Sequence, residues 1–104
     1  MWLRRPGTNS RGSGFDQKTV QSVWDKAAIV PGFDPALYRK DACGAWIAWS
    51  EYGNQHNLGW EIDHTIPVAM GGKDTIDNLQ VLQWRNNRIK ADHWPNWYCA
   101  IQAA

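Results

Sequence analysis

An aspartate and a histidine stand side by side at Asp63-His64, and an asparagine follows at Asn87. Carboxylate, imidazole and amide oxygen are the groups that metal-assisted hydrolysis of a phosphodiester uses. A carboxylate and an amide oxygen are hard ligands, and two of them with waters and a phosphate oxygen suit Mg²⁺ or Mn²⁺ better than a closed protein cage. Asp63 and Asn87 are therefore the expected metal ligands. A neutral imidazole can take the proton of an attacking water near physiological pH, the general-base role expected of His64. Arg85, Arg88 and Lys90 are expected to hold flanking phosphates, arginine through its planar fork and lysine as a point charge. Lys73 adds a further basic group in the same stretch, and Arg39 reads either as a phosphate contact or as the surface partner of Asp41.

Those residues need elements to position them. Trp60, Ile62 and Thr65-Ile66 alternate as a short strand, with Asp63-His64 at its exit. Met70-Gly71-Gly72-Lys73-Asp74 reads as a turn, because consecutive glycines accept positive φ. Leu79 to Leu82 is a second alternating run, and from Gln83 to Asp92 there is neither glycine nor proline, so a helix is expected. The unit from Trp60 to Asp92 is strand, loop, strand, helix. Asn86 beside Asn87 raises a question of register, since a rotation of one residue would turn Asn86 toward the site instead.

In this order the residues resemble the HNH endonucleases: DH in the first strand, proline and GG in the loop, DNLQ before the second strand and NNRIKAD on the helix. The resemblance implies a ββα-metal unit in which Asp63 is a metal ligand, His64 the general base and Asn87 the second ligand, where other members carry histidine. It implies that Asn78 is the middle letter of the motif, hydrogen-bonded across the loop so as to fix the catalytic histidine. Arg88 and Lys90 match positions that commonly face the nucleic-acid backbone. The implied reaction is hydrolysis of DNA, double-stranded or nicked and in preference to RNA, with Mg²⁺ or Mn²⁺ and with Ni²⁺ or Zn²⁺ also open. A looser resemblance to small bacterial HNH proteins runs from Phe15 to Cys99. Many members frame this fold with two CxxC pairs on a structural zinc, whereas only Cys43 and Cys99 exist here. Packing by the eight tryptophans is expected to hold the framework instead.

The remaining chain sets limits. With 104 residues there is room for one domain, expected over residues 15–104 as an α+β fold with an N-terminal helix and a supporting β-hairpin. A net charge of +1 is weak for nucleic-acid binding, so local clustering must carry that role. Met1 to Gly14 reads as a flexible basic arm. Asp16 caps an amphipathic helix expected through Ala28, and Asp34-Pro35 opens a short helix through Arg39. Cys43 to Trp49 is expected as a strand that pairs with the run at Trp60. The aromatic tail from His93 to Cys99 is expected to fold back and bring Cys99 near Cys43. Free thiols are favoured there over a disulfide or a zinc site completed by His93 or His56, because no apolar run suggests a leader or membrane span and a reducing cytoplasm follows by default. Two other function classes fit the composition: a non-catalytic nucleic-acid-binding module, and a subunit of a phage packaging or restriction assembly.

Overall fold

The Asp16 carboxylate accepts from the Thr19 amide at 2.7 Å and starts α1 (Gln17–Trp24), which turns Val20, Val23 and Trp24 inward. The computed structural model describes residues 4–102. In it α1 ends four residues short of the expected Ala28. The chain leaves helical geometry there because the Arg39 guanidinium takes the carbonyls of Asp25 and Ala27, and Ala28 exchanges backbone bonds with Lys40.

The short helix expected from Asp34 to Arg39 is a turn instead. The Asp34 side chain accepts from the Ala36 amide, while its carbonyl accepts from Leu37 and Tyr38, which delivers the chain directly into β1 (Tyr38–Lys40). β1 pairs antiparallel with β2 (Trp46–Ala48), with Arg39 opposite Ile47. A supporting hairpin thus exists, but β2 does not pair with the run at Trp60 as expected. Asp41 is the reason: its Oδ1 accepts from both Cys43 and Ala45 amides, and this tight reversal lays β2 against the strand just before it.

β3 (Trp60–His64) and β4 (Leu79–Gln83) form the second antiparallel pair, from Trp60 opposite Gln83 to His64 opposite Leu79. α2 (Trp84–Lys90) follows at once, because the Gln83 side chain accepts from the Arg85 and Asn86 amides and caps it. Among the described residues the fold is a small α+β domain of two α-helices and two hairpin sheets. Its core gathers Val23, Trp24, Ile47, Trp60, Ile62 and Leu79, with the Trp24 and Trp60 rings 5.2 Å apart and Tyr52 4.6 Å from Trp60. Both buried indoles find acceptors, Trp24 on the Pro35 carbonyl and Trp60 on that of Ala48. Among the described residues no helix is long and apolar enough to cross a membrane.

A polar knot ties the ends of the domain together. Asp41 Oδ2 accepts from the Gln83 amide and from Asn86 Nδ2, and Asn86 bonds the backbone of Ile101 in both directions. That contact brings the tail beside the β1–β2 turn, where Cys43 and Cys99 are joined as a disulfide with Cα atoms 5.7 Å apart. The expectation of free thiols is therefore corrected. Tail docking brings the two sulfurs together. The bond closes a loop with a sequence separation of 56. Replacing Cys99 by serine is expected to lower the unfolding free energy by roughly 2–4 kcal/mol, measured by urea titration of both forms.

Candidate active site

Alternation along β3 divides its side chains between two faces. Trp60 and Ile62 enter the core, whereas Glu61 and Asp63 face α2, and all five residues of the strand are buried. Asp63, His64, Asn87 and Arg88 line one cleft of about 200 Å³ together with Arg4, Pro6 and Gly7 from the N-terminal segment.

Asp63 is 6 % exposed and surrounded by donors. Gln80, directly opposite on β4, donates to Oδ2 at 2.9 Å, and Lys90 Nζ lies 3.3 Å from Oδ1 and 3.2 Å from Oδ2. Burial pushes the carboxyl of Asp63 up from its ordinary range, and the Gln80 and Lys90 contacts pull only part of the way back. Lys90 is fully buried and also donates to the His64 carbonyl at 2.8 Å. The expected phosphate contact by Lys90 is thus corrected: α2 turns this ammonium inward because the buried Asp63 carboxylate needs a counter-charge.

Asn87, not Asn86, faces the cleft. Asn86 is consumed by Asp41 and Ile101, on the side of the tail. Asn87 donates through Nδ2 to Glu61 Oε1 at 2.8 Å, and since that carboxylate oxygen accepts, the amide orientation is settled. Oδ1 is left with no hydrogen-bond partner among the described residues. Asn87 lines the cleft, and this oxygen is the one left to face it.

Asn78 closes the loop that returns from β3. Its Oδ1 accepts from the Ile66 amide at 2.9 Å, while Nδ2 donates to the carbonyls of Ile66 and Lys73. The glycine pair makes that loop possible. Gly71 holds φ at 90°, and a Cβ on Gly72 would collide with the Ile66 carbonyl oxygen.

His64 is 2 % exposed. Its Nε2 lies 2.7 Å from Asp74 Oδ1, and the Phe15 ring packs 6.0 Å away at a tilt of 41°. Asp74 is in turn held by Ser10, whose amide and hydroxyl both donate to its carboxylate, at 2.9 and 2.7 Å. Residues 4–14 were expected as a flexible arm. They fold instead into a strap: Asn9 accepts from the Arg11 and Ser13 amides, Arg4 donates to the Thr8 carbonyl, and Gly7 passes over the Glu61 side chain. Met1, Trp2 and Leu3 lie outside the described residues.

Of the remaining basic residues, Lys73, Arg85 and Arg88 are exposed. Arg88 also pairs with Glu61 at 2.9 Å, and both arginines lie over the Trp84 ring. Arg39 is corrected on both of its expected readings. It is buried and spends its guanidinium on the carbonyls of Pro35, Asp25 and Ala27 and on the Asp25 carboxylate, while Asp41 belongs to the polar knot.

Four residues of the site were not anticipated: Glu61, Ser10, Asp74 and Gln80. Glu61 carried a usable signal, because it lies two positions before Asp63 on a strand and so shares its face. Ser10 and Asp74 carried none, being 64 residues apart.

Asp63 offers a carboxylate and Asn87 an amide oxygen on the same cleft, and among the described residues no group of three or more histidine, cysteine or acidic side chains that could hold a metal ion is found. Residues 43–93 match the family model described as HNH endonuclease. The matched segment is similar to an HNH endonuclease domain. Searches among curated proteins and solved structures return no match. The HNH match spans β2 through α2, so the strap, α1 and β1 are this chain's additions to the matched segment. Similarity to this family points to nuclease-type chemistry and a nucleic-acid substrate.

Two outcomes follow from the HNH site. Lys90→Ala is expected to destabilise the fold by about 3–5 kcal/mol, since it strands a buried carboxylate, whereas Asp63→Asn with Lys90→Met should recover much of that loss in denaturant titrations. The second concerns pH. Burial acts to raise the carboxyl of Asp74, but donation from His64 and Ser10 outweighs it and holds the group below its ordinary value. Its contribution to docking the strap is therefore complete above about pH 4 and fades as pH falls through the lower folded value. Protection of the Ser10 amide in hydrogen exchange should fall over that acidic window and in no other.

Proposed function

We propose that the domain is a metal-dependent DNA endonuclease of the ββα-metal type, with His64 as general base and with Asp63 and Asn87 as the protein ligands. The observation that carries the reading is the convergence of a buried imidazole, a buried carboxylate and an oriented amide oxygen on one cleft. A divalent cation bound between Asp63 and Asn87 would supply positive charge to polarise the phosphoryl group and stabilise the leaving oxygen.

The chain's own residues do the rest. His64 removes a proton from a water molecule whose oxygen attacks phosphorus in line. The P–O3′ bond breaks, leaving a 5′ phosphate, and the 3′ oxygen takes its proton from solvent. Asn78 holds the loop that borders this site, and Lys90 keeps the Asp63 carboxylate fixed and partly neutralised. Arg85, Arg88 and Lys73 present exposed charge for flanking phosphates, which compensates for a net charge of only +1. The substrate is double-stranded or nicked DNA.

Plasmid cleavage with Mg²⁺, Mn²⁺, Ni²⁺, Zn²⁺ or EDTA tests the proposal. Cutting should require a divalent ion, and His64→Ala should slow it by roughly 10²–10⁴-fold. Salt-sensitive binding without cutting under any metal would sink the catalytic reading. In binding assays Arg85→Ala should reduce the slope of log affinity against log salt by about 0.9, whereas Arg39→Ala should leave that slope unchanged.

A further inference from the structure

The base of a hydrolytic site needs one nitrogen free and aimed, and an imidazole achieves this only if its other nitrogen is committed. In this structure Nε2 is the committed one. Its partner at 2.7 Å is Asp74 Oδ1, an ionised carboxylate that only accepts, so Nε2 carries the proton. Nδ1 then carries the lone pair and has no hydrogen-bond partner among the described residues. His64 lines the cleft, and Nδ1 is the ring nitrogen left to face it. The ring is otherwise closed in, with Phe15 against it and Lys90 holding its backbone carbonyl.

Asp74 is itself fixed from the far end of the chain. Ser10 gives it an amide at 2.9 Å and a hydroxyl at 2.7 Å, while Asn78 secures the same loop through the adjacent Lys73 carbonyl. Ser10 lies outside the HNH-matched segment. The strap therefore reaches the imidazole through a single side chain.

We propose that Asp74 is a positioning residue for His64: anchored by Ser10, it holds the imidazole as the Nε2–H tautomer and leaves Nδ1 as the nitrogen that takes the proton from water. The proposal rests on the nuclease reading above and extends it to residues the HNH motif does not name. Asp74 touches neither water nor phosphate in this role; it acts through the ring.

The test uses the full chain, labelled with ¹⁵N-histidine, at mildly alkaline pH. Long-range ¹H–¹⁵N spectra of the wild type should show His64 as the Nε2–H tautomer. Asp74→Ala should lose that single pattern, and its kcat on plasmid should fall by about 100-fold with KM nearly unchanged, as expected of a misaimed base. Ser10→Ala should shift both readouts in the same direction by less, and Asp74→Glu should restore part of the loss. An Nδ1–H tautomer in an active wild type, or an unchanged kcat in folded Asp74→Ala, would overturn the assignment. A wild type with the expected tautomer that cuts no DNA would instead remove the nuclease reading, and the catalytic role of Asp74 with it.

Discussion

Two carboxylates buried on one strand are the constraint on which the rest of this structure depends. Glu61 and Asp63 sit on β3, where every residue is buried, and neither can remain charged there without donors supplied by other elements. α2 supplies most of them: Asn87 and Arg88 to Glu61, Lys90 to Asp63. Satisfying both acids at once fixes the rotation of the helix about its axis. That rotation places Asn87 at the cleft and Asn86 on the opposite side, and it converts Lys90 from a surface cation into a buried counter-ion.

The β3–β4 ribbon has two ends with different duties. At the Trp60–Gln83 end, Asp41, Gln83 and Asn86 form the polar knot that the disulfide reinforces. At the His64–Leu79 end lie the imidazole, the glycine loop and the strap. α2 belongs to both, since consecutive asparagines serve the knot and the cleft. Asp41 and Asn86 hold the framework by hydrogen bonds, and no buried side-chain nitrogen or oxygen among the described residues is left without a partner. A half-satisfied network of this kind would cost stability, so its members act as a unit.

The cleft is assembled from distant parts of the chain. Ser10 reaches Asp74 across 64 residues, and the Glu61 and Arg88 pair spans 27. Rigid placement of the His64 imidazole beside a carboxylate requires such cross-links, because a loop alone would leave the ring free to turn. The outer wall, formed by Arg4, Pro6 and Gly7, is held by the strap's own turns rather than by a helix or strand.

Much of this was legible in the sequence for identifiable reasons. The alternation around Trp60 and Leu79, the glycine pair and the uninterrupted run from Gln83 specified strand, loop, strand and helix by local periodicity. Asp16 marked the start of α1 by capping chemistry alone, and the HNH pattern singled out Asp63, His64 and Asn87, which line one cleft, and Asn78, which bonds across the loop. Local signals failed where a single polar side chain overrode them, as when Asp34 made a turn of an expected helix and Asp41 redirected β2 to β1. What only the tertiary structure decided was how each charge is used. Arg39 and Lys90 look identical in sequence to surface cations, and burial against the carbonyls of Pro35, Asp25 and Ala27 and against the Asp63 carboxylate makes them internal partners. Likewise the strap, the Ser10–Asp74–His64 chain and the disulfide depend on contacts between residues far apart, which no spacing along the chain encodes because the separation is bridged only when the core has formed.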